Sequence, residues 1–259
     1  MTNLEDYVDR FVQMRMERQD GVLLVTLHKD DGPFLITAQA LKDFADAWEL
    51  MSRDMGNRVI ILTGTGDAYC DGIDFDTFAE VGNLTTAVGW YQLTNLIVAR
   101  HMRNLASLEV PVIAAVNGPN RIHPELTLLC DVVLAAPTAA FADHSHFPNF
   151  VPGDANQYML QAVLGPIRAK HLFYTAGSIN ATQAKELGIV NEIHDPAALL
   201  PRAWDIARNI AKSHPLTIRH TKNVLNRRLR RIIEEESAYS LAVEGIAAFG
   251  SLVTDKQDD

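Results

Sequence analysis

Three short apolar runs constrain this chain most: Val59-Ile60-Ile61-Leu62-Thr63, Val112-Ile113-Ala114-Ala115-Val116 and Val132-Val133-Leu134-Ala135. A strand with one wet face alternates apolar and polar residues. An unbroken run reads instead as a strand buried on both faces, as in a parallel sheet covered by helices. Helical patterns lie between the runs. Thr37 caps a helix that reaches Met51 and sets Leu41, Phe44, Ala45 and Trp48 on one face, and a longer helix is predicted from about Val88 to Leu108. Upstream, Val22 to Leu27 reads as a strand ending in the turn Lys29-Asp30-Asp31-Gly32-Pro33. Strands and helices that alternate in this way predict an α/β fold with parallel pairing.

From Ala155 onward the strand signal fades, apart from Ile189 to Ile193, and Pro196 to Gly250 reads as successive helices broken at His214-Pro215. This divides the chain into a core, residues 1–195, and a helical C-terminal region, residues 196–259. Helices that cannot bury their own apolar faces must pack on the core or on another subunit, so an oligomer is expected.

With 259 residues, 47% of them hydrophobic, the chain can bury a large core. No apolar stretch approaches the roughly 20 residues that span a bilayer, and the acidic start Met1-Thr2-Asn3-Leu4-Glu5-Asp6 is unlike a secretory signal. Cys70 and Cys130 are too few and too far apart for a disulfide framework or a zinc knuckle. A cytoplasmic protein is the expectation. A formal net charge of −9 disfavours nucleic acid and anionic membranes as partners. The one basic run, Arg227-Arg228-Leu229-Arg230-Arg231, leads into Glu234-Glu235-Glu236, and the i,i+4 spacing of Arg231 and Glu235 favours a solvated, ion-paired helix over a phosphate-binding patch. Gly64-Thr65-Gly66 lacks the third glycine of a dinucleotide fingerprint, since Tyr69 stands there.

The residues that carry chemistry gather between 123 and 154. His146 is followed by Asp154 across the turn Pro152-Gly153. A carboxylate that holds an imidazole in one tautomer and stabilises its protonated form makes that imidazole a general base towards water. His144, two residues away on an extended segment, points the same way as His146 and is the rival base. With Asp143, Asp154 and His123, the His-x-His pair also has the composition of a zinc or iron cluster, although no recognised ligand spacing is present. Glu244 has Ser240, Leu241, Ala247 and Ala248 as its helical neighbours, so its carboxylate faces a cavity or an interface; a structural carboxylate paired with an arginine is the competing account.

In order along the chain, Arg58 to Gly66, Cys70 to Phe75, Pro111 to Gly118, Cys130 to Ala135, Val151 to Asp154 and Ala181 to Val190 resemble the crotonase (enoyl-CoA hydratase/isomerase) superfamily. The resemblance covers nearly the whole chain. It implies a crotonase-like spiral of ββα turns with a helical C-terminal region, assembled as a homotrimer or a dimer of trimers. The chain departs from the acyl-CoA members. After Asn117-Gly118, where they carry a glycine-rich turn with a backbone donor for the thioester oxyanion, it reads Pro119-Asn120-Arg121-Ile122-His123-Pro124-Glu125, and Pro124 has no N–H. Ser145 stands where an acidic residue is usual.

His123-Pro124-Glu125, His146-Phe147-Pro148, Val151 to Asp154 and Leu241 to Ala248 resemble instead the β-diketone hydrolase (6-oxocamphor hydrolase-type) branch of that superfamily. That resemblance implies His123, His146, Asp154 and Glu244 as the catalytic set, His123 serving as side-chain oxyanion donor. It implies no cofactor and no metal, and a hydrolytic retro-Claisen cleavage of a 1,3-diketone, expected to be cyclic, to a keto acid. Phe34 stands where the branch has a substrate-facing tryptophan, Gln39 where it has a histidine, and the loop from His146 to Asp154 is a residue shorter. Phe34, Gln39, Trp90, Phe147 and Phe150 are the expected substrate-binding residues. An acyl-CoA hydratase or lyase of the same fold, and a non-catalytic scaffold, are the alternatives.

Overall fold

The computed structural model describes residues 2–81, 84, 86–143 and 150–254. His144, His146 and Phe147 lie outside them. In chain order the strands are β1 (Met14–Gln19), β2 (Val22–Leu27), β3 (Val59–Gly64), β4 (Val112–Val116), β5 (Val132–Ala135), β6 (Ala140–Phe141), β7 (Ile179–Asn180) and β8 (Glu192–Ile193). The helices are α1 (Ala38–Arg53), α2 (Ala87–Tyr91), α3 (Ala99–Ser107), α4 (Glu125–Leu128), α5 (Asn156–Leu164), α6 (Pro166–Tyr174), α7 (Ala181–Glu186), α8 (Pro196–Ala211), α9 (Pro215–Leu225) and α10 (Arg227–Thr254).

Six strands form one sheet in the order β1-β2-β3-β4-β5-β8, antiparallel only between β1 and β2 and parallel from there on. The apolar runs explain why. In β3, Ile60 and Leu62 enter the larger core, while Val59 and Ile61 face the opposite way into a second one. In β4, Ala114 and Val116 take the first side, Ile113 and Ala115 the second. Helices α1 and α3 cover the first face, and α8 covers the second with Leu199, Ala203 and Ala207. Each side chain of these strands is therefore removed from water, at roughly 1.5–3 kcal/mol for a valine, leucine or isoleucine.

Thr37 caps α1 as its sequence predicts, its hydroxyl oxygen accepting from the Ala40 N–H at 3.0 Å. Helix α2 runs into α3 through a π-helical segment, Gln92–Val98, so the run expected from Val88 to Leu108 is helical with a widened middle. The basic run opens α10, and Arg231 pairs with Glu235 at 2.7 Å, the i,i+4 contact its spacing implies. Both cysteines are free. No helix among the described residues is long and apolar enough to cross a membrane.

The two edges of the parallel strands differ. At their N-terminal ends the buried Lys222 of α9 pairs with Asp131 at 2.7 Å and donates to Val110 O at 2.9 Å, and Asp131 also accepts the Val112 N–H. That edge is sealed by charge and hydrogen bonds. The C-terminal ends carry the irregular loops in which α/β sheets place their chemistry.

Candidate active site

Strand β4 is followed by Asn117-Gly118, which tie its end to the neighbouring loop. The Asn117 carboxamide accepts the Gly64 N–H at 3.0 Å and donates to Gly66 O and Ala68 O, so Gly64-Thr65-Gly66 is a brace between strand ends. Gly118 passes so close to the neighbouring loop that a Cβ on it would overlap Asp67 O. Pro119 O then accepts from Tyr69 N, and Asn120 exchanges backbone hydrogen bonds with Ala140 and Ala142. The chain is clamped on both sides up to Ile122.

His123 follows in the left-handed region, φ +48°, which non-glycine residues enter rarely and at a cost. This twist folds its imidazole back over the start of α4. Nδ1 lies 2.8 Å from Glu125 Oε1 and 3.1 Å from Asp154 Oδ2. Glu125 and Asp154 are both buried. Burial alone would push the His123 pKa down. The negative charge of Glu125 and the hydrogen bonds to Asp154 and Glu125 overcome it and raise the imidazole well above its ordinary value, which favours its charged form. Burial would likewise raise Glu125, but the His123 charge and hydrogen bonds from His101 and His123 bring it down to about 2.

Two further residues fix this pair. His101 of α3 is fully buried, and its Nδ1 accepts the indole N–H of Trp48 at 3.0 Å. The ring proton is thereby confined to Nε2, which faces Glu125 Oε1 at 3.6 Å. Asn156, the first residue of α5, directs its Nδ2 to Asp154 Oδ1 at 2.7 Å and to Glu125 Oε2 and Asp143 Oδ2 at 3.3 Å each. Three carboxylates thus share one amide and one imidazole. Ala155 beside it is also left-handed, φ +73°.

Glu244 reaches the same place from α10. Ser240 donates to Gly153 O at 2.9 Å, and a Cβ on Gly153 would run into Glu244 Oε2, so the half-buried carboxylate lies directly over the Gly153-Asp154 turn. Trp90 and Phe150 form a wall, ring centroids 5.9 Å apart.

The structure therefore brings together His123, Asp154 and Glu244, with Trp90 and Phe150 beside them. Asp154, expected to orient His146, makes its described histidine contact with His123. Two residues expected to bind substrate, Gln39 and Phe34, are not among those brought together. Gln39 is exposed on α1 with its amide on Asp43 at 2.6 Å. Phe34 is buried edge-on against Phe44, which stacks on Trp48 and contacts His101, so it ends an aromatic column beneath Glu125. Glu125, His101 and Asn156 are the residues that sequence reasoning missed. The signal for Glu125 was its place in His123-Pro124-Glu125; His101, on an apolar helix face, and Asn156 gave none.

Among the described residues, His123, Glu125 and Asp154 offer ligand atoms within 4.8 Å of one another. Ligands at tetrahedral zinc stand roughly 3.4 Å apart, given bonds of about 2.1 Å, and the nitrogen must be deprotonated. The 2.8 and 3.1 Å contacts are shorter than that spacing and suit a hydrogen-bonded ion pair.

Comparison with known proteins agrees with this architecture. The family model for enoyl-CoA hydratase/isomerase matches residues 17–244. The chain belongs to the enoyl-CoA hydratase/isomerase, or crotonase, family. Within the family it is 28% identical to the short-chain-enoyl-CoA hydratase of Clostridium acetobutylicum, over 86% of this chain and 85% of the relative. It is also 28% identical to the crotonyl-CoA hydratase of Syntrophomonas wolfei, over 90% and 93%. Among solved structures it superimposes with a TM-score of 0.90 and 36% identity on a β-diketone hydrolase from the cyanobacterium Anabaena sp. PCC 7120 bound to (S)-3-oxocyclohexyl acetic acid, covering 95% of this chain and 97% of that one. An enoyl-CoA hydratase/isomerase from Mycobacterium paratuberculosis gives 0.82 and 26%, over 95% and 99%. The crotonase fold that the sequence predicts is the fold observed.

Proposed function

We propose that this crotonase-family enzyme is a hydrolase that cleaves a carbon–carbon bond of a 1,3-diketone, expected to be cyclic, by a retro-Claisen reaction. The observation that carries the reading is the His123 Nδ1 held between the carboxylates of Glu125 and Asp154 beyond the end of β4, a placement that favours the charged imidazole. Both contacts go through Nδ1, so Nε2–H is left to donate to a carbonyl. A charged donor in a water-poor site stabilises a tetrahedral oxyanion more than a neutral one does. The likeness to the Anabaena hydrolase supports the same reading, since its ligand is a keto acid.

In the mechanism, a base removes a proton from water and the hydroxide adds to one carbonyl carbon, its oxygen becoming the oxyanion that His123 holds. The tetrahedral centre collapses, the bond to the central carbon breaks, and its electron pair enters the enolate of the second carbonyl. A proton returned to that carbon, with Glu244 placed to carry it, gives the keto acid. His146, with His144 as its rival, is the proposed base. The described residues flanking their segment, Asp143 and Phe150, belong to the site. Asp154 then serves two histidines. No cofactor takes part.

The named sequence relatives favour a second reading, acyl-CoA hydration or lyase chemistry. One experiment separates the two: incubation with a cyclic 1,3-diketone beside a panel of enoyl- and acyl-CoA thioesters. Loss of enol absorbance with release of one equivalent of acid is expected. Turnover of a thioester with the diketone untouched overturns the proposal.

A further inference from the structure

The indole nitrogen of Trp90 is sealed from solvent and has no hydrogen-bond partner among the described residues, and the residue as a whole is 9% exposed. Buried N–H groups in folded proteins are almost always paired, so an orphan beside an active site points to a ligand acceptor. The residue is fixed from several sides. Its ring leans on Phe150, four residues before Asp154, and its carbonyl accepts the Thr94 hydroxyl at 2.8 Å, at the start of the π-helical segment. Helix α2, which carries it, packs against α10, which carries Glu244. The other indoles are engaged elsewhere: Trp48 donates to His101, and Trp204 lies under the Arg208 guanidinium on α8.

We propose that the Trp90 indole N–H is the docking donor for the second carbonyl of the substrate, the one whose oxygen becomes the enolate. This rests on the diketone reading and supplies what that mechanism lacks, since His123 holds only the attacked carbonyl. Two donors on different elements then measure the spacing of the two oxygens. That selects a 1,3-dicarbonyl over a lone ketone. The enolate oxygen is more basic than the ketone oxygen, so the contact strengthens as the bond breaks and acts mainly on kcat.

The test pairs kinetics with spectroscopy. Trp90→Phe keeps an aromatic ring at the position facing Phe150 but removes the N–H donor together with part of the indole; kcat for a cyclic 1,3-diketone should fall by about ten- to a hundredfold, with KM changing much less. In His146→Ala, a variant kept from turning the diketone over, labelled with 15N in its indoles, the Trp90 signal, assigned from its loss in Trp90→Phe, should shift downfield on titration with 2,2-dimethylcyclohexane-1,3-dione while Trp204 stays in place. If the wild type cleaves the diketone but Trp90→Phe cleaves it equally well, the assignment of Trp90 is wrong and the diketone reading stands. A diketone that saturates the protein without moving the Trp90 signal likewise overturns the assignment. A wild type that cleaves no diketone removes both.

Discussion

In the proposed mechanism the His123 imidazole works only while protonated, and its neighbours decide over what range of pH that holds. Glu125 is the strongest of the influences raising its pKa, so Glu125→Gln lowers it. The proposed base must be neutral, and His123 charged, so kcat/KM should follow a bell with an acid limb from the base and an alkaline limb from His123. In Glu125→Gln the alkaline limb should move to lower pH, and activity above it should drop about tenfold for every pH unit the limb travels. A pH–rate profile reads this directly, and an alkaline limb that does not move would show that His123 is not the charged donor. Asp154→Asn should move the same limb in the same direction, and kcat should fall by ~10² or more if Asp154 also serves the base.

At the scale of elements, the loops at the C-terminal ends of the strands position the site, and two small residues show how tightly. Gly118→Ala drives a methyl group into Asp67 O and should cost about 2–3 kcal/mol together with most of the activity, because it displaces the segment leading to His123. Ala155→Gly should do the reverse for stability, raising it by about 1 kcal/mol by relieving a left-handed alanine. Thermal unfolding of the two variants tests both signs. The elements also show which parts of this fold are legible in sequence. The apolar runs of β3, β4 and β5 announce strands buried on both faces, and Thr37 announces the start of α1. β1, Met14–Gln19, was missed although Asp20-Gly21 marks the hairpin, because its alternation of buried and exposed residues is carried by methionines among charges. The contact of Glu125 with His123 was illegible for a physical reason. Two residues that flank a proline meet only because His123 takes a backbone conformation that composition does not reveal. The π-helical segment has no sequence signature, and the Trp48–His101 hydrogen bond joins residues 53 positions apart on two helices.

For the whole molecule, helices α8, α9 and α10 close over the core but leave large apolar side chains in water: Val224 and Leu225 on α9, Tyr239 and Ile246 on α10, with Ile167 and Tyr174 on α6. Exposed apolar side chains in this number predict self-association, with the homotrimer or dimer of trimers as the proposed state. Sedimentation velocity should show a single species larger than the monomer at micromolar concentration, and a monomer there would contradict it.

The gathering of Glu125, Asp143 and Asp154 around the Asn156 amide, with Glu244 overhanging Gly153, bears on what happens after the chemistry. The proposed reaction turns a neutral molecule into an anion within a few ångströms of these acidic side chains. Like charges at that distance repel, so the carboxylates work against the pull of His123 on the new anion, while the uncharged substrate meets no such opposition. Inhibition by the keto acid should therefore be weaker than the His123 contact alone would give. It should strengthen several-fold in Asp143→Asn, read as a lower inhibition constant for product with little change in the KM for substrate.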